Sequence, residues 1–166
     1  MSKLIETEFD AITYKIIGAA MKVHDSLGPG FKEVHYQKAM ETSLGSIGLD
    51  FEAQKQIGVY FNKTLAGLLF MDIYVENQIV VELKALYHLL TKNEIAQVIT
   101  YLKASKSKIG LLINFGRKYL EYKRIFPPSA ITEFDEKDWR YVYKFKNTNF
   151  KFDKDGKNQR VTYQFD

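Results

Sequence analysis

Cysteine is absent from this chain of 166 residues, proline and histidine occur three times each, and tryptophan once. Without cysteine there are no disulfides, no thiolate metal ligands and no cysteine nucleophile. That fits a reducing compartment, and the expected location is cytoplasmic. Long apolar runs are missing too: nothing approaches the roughly 20 residues that cross a bilayer, so no membrane partner is expected. The first residues, Met1-Ser2-Lys3-Leu4-Ile5-Glu6-Thr7-Glu8, carry acids where a secretory signal needs an apolar stretch. Internal repeats and long low-complexity segments are not visible. Charge of one sign is in modest excess, with 24 Lys and Arg against 20 Asp and Glu. A net charge of +4 permits a polyanionic partner without demanding one.

What the chain has in quantity is aromatic residues, 12 Phe and 11 Tyr, and enough length for one domain with one good core. Apolar positions at Ile12, Ile16, Ala19, Ala20, Val23 and Leu27 have helical spacing. Gly28-Pro29-Gly30 ends that helix. A second helix is predicted over 32–47, with Val34, Ala39, Met40, Leu44 and Ile47 inward and Gly48 as its cap. Strands follow at 57–61 and 65–75 around an Asn62-Lys63 turn. Leu68 to Met71 is continuously apolar, which predicts a strand covered on both faces. Thr91-Lys92-Asn93-Glu94 is a capping box opening a helix to about Ala104. A buried strand at 108–115 and a more exposed one at 120–125 complete the domain. Pro127-Pro128 then marks a boundary. The fold class is α/β, a mixed central sheet flanked by helices in the order ααβββαββ. Residues 1–126 form the domain and 127–166 a β-hairpin extension packed on it.

The chemistry concentrates at Met71-Asp72-Ile73-Tyr74-Val75 and Ile79-Val80-Val81-Glu82-Leu83-Lys84. These are apolar strands that carry charge where a core strand should carry none. Glu82 and Lys84 are two apart and share a face. If Glu76-Asn77-Gln78 is the loop, Val75 faces Ile79 and Asp72 faces Glu82. A two-residue loop would put Asp72 on the wrong face. Two carboxylates and an ammonium then converge on an apolar sheet, which is costly unless they pair or hold a metal. The bland alternative is a half-exposed hairpin with a cross-strand ion pair of little consequence.

Three further features bear on that choice. Gly30-x-x-Glu33-x-x-Tyr36 places an acid at the start of the second helix, where it would in any case suit the dipole. Gln97 and Tyr101 are one turn apart on a shared helical face. Asn114-Phe115-Gly116 follows a buried strand, by itself only a strand end and turn. Among the histidines, His24 and His35 read as surface or packing residues, and His88, after the Glu-x-Lys strand, could approach the charges. Asp153-x-Asp155-Gly156 lacks the later acid of a calcium loop and reads as a hairpin turn. Lys103, Lys106 and Lys108 suit a helix C-terminus.

Taken in order, these features resemble the GxxExxY family of the PD-(D/E)XK nuclease superfamily. The matching residues are Gly30, Glu33 and Tyr36; Asp72 with Glu82-Leu83-Lys84; Gln97 and Tyr101; 110–116; and Lys123-Arg124-Ile125. The resemblance spans roughly Phe9 to Ile125. It implies a restriction-endonuclease-like core and metal-dependent phosphodiester hydrolysis of nucleic acid, with DNA the expected substrate in repair, recombination or defence. Asp72 and Glu82 would be the central ligands of Mg²⁺ or Mn²⁺, with the Leu83 carbonyl and Glu33 completing the shell. Lys84 would orient the attacking water or stabilise developing charge, and Gln97 and Tyr101 would position the strand or the lysine. A homodimer is compatible with the resemblance. The rival function is a non-catalytic nucleic-acid- or protein-binding module on the same scaffold.

Overall fold

The computed structural model describes residues 9–126 and the backbone of 142–145. The expected hairpins of the extension, apart from the strand at 142–145, and the Asp153-x-Asp155-Gly156 turn lie outside the described residues.

Two helices come first, α1 (Asp10–Leu27) and α2 (Glu33–Ser46). Gly28 caps α1 at φ +66° and Gly48 follows α2 at φ +72°, both left-handed positions that suit glycine. Strands β1 (Phe51–Phe61), β2 (Thr64–Val75) and β3 (Ile79–Lys84) precede α3 (Lys92–Ser105), and β4 (Ile109–Asn114) and β5 (Glu121–Phe126) follow it. The Thr91 hydroxyl accepts from the Asn93 N–H, and Glu94 accepts from the Thr91 N–H at 2.6 Å, closing the expected capping box. β6 (Val142–Phe145) pairs antiparallel with β5.

The sheet runs β1-β2-β3-β4-β5-β6. Among the described strands the only parallel pair is β3 with β4, the α3 crossover; the others are antiparallel. Two apolar layers follow from the alternation along the strands. Ile79, Val81 and Leu83 pack with Ile109, Leu111 and Ile113 under α1 and α2. Val80, Leu112 and Ile125 pack with Ile95, Val98, Ile99 and Leu102 of α3 on the other face. Glu82 and Lys84 therefore share the α3 side with Val80.

Three sequence-based expectations are corrected. Val34 is exposed, and the inward position on that turn is Tyr36: Met40 and Leu44 fix the buried stripe, Tyr36 lies one turn before Met40, and Val34 falls off that face. β5 is not an exposed strand: Lys123, Arg124 and Ile125 are buried. Arg124 donates to Asp10 and to the Thr13 hydroxyl, tying β5 to α1. The third concerns Leu68 to Met71. Only Met71 is fully buried; Leu68 and Phe70 are exposed because no helix lies over their face of the strand, whereas Leu69 on the other face packs against the α3-side core.

Candidate active site

Residues Glu76-Asn77-Gln78 form the β2–β3 loop, and Val75 pairs with Ile79. Glu76 and Asn77 are both left-handed, at φ 52° and 53°, and Gln78 N–H donates to Val75 O. That is a primed turn with one extra residue, the odd loop required for Asp72 to reach Glu82. Backbone pairing continues to Ile73 and Val81. At the next position the Asp72 carboxylate accepts the Leu83 N–H at 2.8 Å. Met71 belongs to the α3-side core and Ile73 to the other. Residues two apart on a regular strand would share a face, so β2 turns over at Asp72.

Lys84 Nζ lies 2.7 Å from Glu82 Oε1 and 4.0 Å from Glu33 Oε1. Glu33 is the first residue of α2, and the Ala85 N–H lies near enough to oppose the rise of its carboxyl. Burial pushes the Glu82 carboxyl up to about 7, reinforced by the Asp72 and Glu33 charges and opposed by Lys84. Burial likewise raises Asp72, against the Leu83 hydrogen bond and the Lys84 charge, and raises Glu33 against Lys84. Lys84 is raised as well: its burial opposes the charged form, but the Glu82 contact and three surrounding carboxylates outweigh it. The ammonium and its neighbours thus have opposite preferences in one crowded spot.

Glu82 Oε2 is buried and has no hydrogen-bond partner. An orphaned carboxylate oxygen in such a place is expensive, and it is an oxygen donor a hard cation could use. Among the described residues no three Asp, Glu, His or Cys side chains form a ready-made metal cage. That donor set fits Mg²⁺, which keeps several waters and takes few protein ligands.

The first sequence motif works as a scaffold for Glu33. Tyr36 is fully buried; its hydroxyl donates to Gly28 O at 2.6 Å and accepts from Phe31 N–H. Its ring stacks on Phe115 at 4.7 Å between centroids. Gly30, at φ +110°, makes the bend. The loop entering α2 is thereby fixed, and Glu33 with it. His35 accepts the Lys32 N–H, a local helix cap, and His24 bonds Arg117 O. His88 is exposed with its ring against the neighbouring Leu89 O. None of the three histidines is part of the cluster.

On α3, Gln97 donates to the Tyr101 hydroxyl at 2.8 Å. Burial and the charges of Glu82 and Asp72 push the Tyr101 phenol up, so the tyrosine lies within electrostatic reach of the cluster. The structure therefore groups Glu33, Asp72, Glu82 and Lys84 directly, with the Gln97–Tyr101 pair at their flank. The Leu83 side chain is buried, leaving its backbone as the part facing the cluster.

Sequence reasoning missed Gln54 and read Asn114 and Gly116 as little more than a strand end and turn. Gln54 is left-handed at φ 51° and donates to Asp72 Oδ1 and to Gln37, linking β1, β2 and α2. Asn114 accepts from the Leu86 and Gly116 N–H groups and donates to His88 O and Glu121. Gly116 passes so close to the strand exit that an added Cβ would come within 2.4 Å of Leu86 O. Asn114 and Gly116 lock the chain leaving Lys84. The only sequence signal was Asn-x-Gly after a buried strand.

The sequence model of the PD-(D/E)XK nuclease superfamily matches residues 10–125. The chain belongs to that superfamily. Membership suggests metal-dependent nuclease activity, a nucleic-acid substrate and a divalent metal, as is general among PD-(D/E)XK nucleases. The mixed sheet flanked by helices agrees with the superfamily's restriction-endonuclease-like fold. A search of curated proteins finds no match. A solved structure titled "Crystal structure of SSO0001" is similar over 76% of this chain and 80% of its own, at 16% identity and a TM-score of 0.44. No helix among the described residues is long and apolar enough to cross a membrane.

Proposed function

We propose that this chain hydrolyses phosphodiester bonds of DNA with Mg²⁺ or Mn²⁺, as a GxxExxY-type member of the superfamily working in the cytoplasm. The observation that carries this reading is Glu82 Oε2, buried and unpartnered beside the Lys84 ammonium and two further carboxylates. A purely structural ion pair has no use for such an oxygen. Asp72, Glu82 and Glu33, with the Leu83 carbonyl, hold the cation. Bound there, it supplies charge neutralisation at the phosphoryl oxygens and a hydroxide near neutral pH.

The remaining work belongs to the side chains. Lys84, held by Glu82, presents N–H donors toward the attacking water and the developing charge. Gln97 and Tyr101 position the substrate strand or the lysine. Gln54 restrains one oxygen of Asp72, leaving the carboxylate's orientation fixed before substrate arrives.

The test is cleavage of labelled single-stranded, duplex and branched DNA and RNA in Mg²⁺ or Mn²⁺, paired with metal calorimetry. Wild type should bind metal and cut DNA, and Asp72→Ala should do neither. A wild-type protein that binds nucleic acid without metal and cuts no substrate would move the non-catalytic binding module ahead.

A further inference from the structure

Three loops meet around the carboxylate–lysine cluster: 28–32 between α1 and α2, 85–91 after β3, and 115–120 after β4. Phe115, at the head of the third, donates to Lys84 O at 2.8 Å and stacks on Tyr36, which accepts from the Phe31 N–H. Each loop holds one large aromatic out in solvent: Phe31 is 47%, Tyr87 89% and Tyr119 73% exposed. The same loops carry Lys32, Arg117 and Lys118, and no acid. Lys118 Nζ lies 5.3 Å from the centre of the Tyr119 ring. The two tyrosines stand on fixed backbone. Asn114 accepts from the Leu86 N–H and donates to His88 O, which pins the chain on both sides of Tyr87. His24 holds Arg117 O and Glu121 accepts from the Leu90 N–H, which brackets Tyr119. Rings presented this way cost little to order on a ligand, because only the side-chain torsions remain.

We propose that these rings stack on unpaired bases, so that the substrate strand runs past the site single-stranded. The inference rests on the nuclease reading above and names its substrate class: single-stranded DNA, or the unpaired part of a branched or frayed end. In an intact duplex the base faces are covered by their neighbours, and a protruding ring reaches only a terminal or extruded base. Along a single strand every base offers a face to an aromatic, whatever the sequence. The cations beside the rings, with no acid among them, suit the phosphates that travel with those bases. Tyr87 is three residues beyond Lys84, so their Cα atoms are at most about 11 Å apart, the length of about three stacked nucleotides at 3.4 Å each.

The test is fluorescence anisotropy of a labelled strand of about 20 nucleotides, longer than one such site needs, and of the same sequence as a blunt duplex. Both are measured in EDTA, so that nothing is cut. The single strand should bind about tenfold tighter than the duplex or better. Tyr87→Ala and Tyr119→Ala should each weaken single-strand binding about fivefold to a hundredfold, with the circular dichroism spectrum and duplex binding unchanged. Tyr87→Phe, which keeps the ring, should bind like wild type. Lys118→Ala should instead reduce the salt dependence, by about 0.7 in the log–log slope. Tyr60→Ala, at an exposed ring near the far end of β1, should change nothing. Duplex bound as tightly as single strand, alanine variants with wild-type affinity, or an equal loss in Tyr60→Ala would each overturn the stacking and leave metal-dependent cleavage standing. Failure of the nuclease reading shows separately, as no cleavage of any substrate in Mg²⁺ or Mn²⁺. A protein that binds neither form of DNA overturns both.

Discussion

The two halves of β2 have similar apolar composition and opposite fates. Residues from Met71 to Val75 are largely buried between two helix layers, and Asp72 sits among them. Residues from Thr64 to Phe70 are mostly exposed. Hydrophobicity is common to both; what differs is whether α2 or α3 lies above. Burial gives the inner half its chemistry, since desolvation raises Asp72 and Glu82. The outer half has surface to offer and no chemistry of its own.

Lys84 gives the largest effect and the hardest test of the inner half. If it served only as counter-charge, Lys84→Arg would preserve activity. A planar guanidinium cannot replace a compact ammonium donor held 2.7 Å from Glu82. Both Lys84→Ala and Lys84→Arg should therefore lose about a hundredfold to a thousandfold in cleavage rate while still binding nucleic acid. Wild-type-like cleavage by the alanine variant would return the hairpin to a structural ion pair.

Matched truncations put the contrast in stability terms. Ile73→Ala removes a fully buried side chain and should cost about 2–5 kcal/mol. Leu68→Ala, at a half-exposed position, should stay within about 0.5 kcal/mol. Equal losses in urea titration would show that the outer half is packed after all.

Gly116→Ala targets the backbone contact behind the site. The new Cβ meets Leu86 O and Ala85, backbone atoms that cannot rotate away. Overpacking of this kind costs about 1–3 kcal/mol. Because Ala85 directly follows Lys84 and its N–H lies near Glu33, metal affinity should fall along with the melting temperature. A stable variant with unchanged metal binding would mean the loop after Lys84 is not held by this contact.

The site was legible where its determinants were local. Loop length set the register that brings Asp72 beside Glu82, and alternation set the face shared by Glu82 and Lys84. The helices were legible from spacing and caps. What depended on distant backbone was not: Gln54 reaching Asp72, Asn114 holding the exit of β3, and Arg124 buried against α1. The exposure of Leu68 and Phe70 was hidden for the same reason, because layer coverage is a property of the assembled fold. The expectation for Val34 failed because it lies six residues before Met40, about 120° round the helix from the stripe of Tyr36, Met40 and Leu44.

The finest test of the inner half concerns Glu82, whose carboxyl rises from an ordinary 4.5 to about 7 on folding. Between those values the folded protein keeps a proton that the unfolded chain has released. Metal-free stability must therefore fall as pH rises from about 4.5 to 7, and remain lower above that. Asp72 and Glu33 are raised too and act in the same direction. Glu82→Gln resembles the protonated carboxyl and cannot ionise, so it should melt higher than wild type at pH 8, by on the order of 2 kcal/mol. At pH 5, where wild type holds its proton, the two should converge. Mg²⁺ or Mn²⁺ should then reverse the order at pH 8, since a ligand for the folded state raises only the protein that binds it. If the variant is no more stable at pH 8, or if metal stabilises both alike, the buried carboxylate is neither strained nor waiting for a cation.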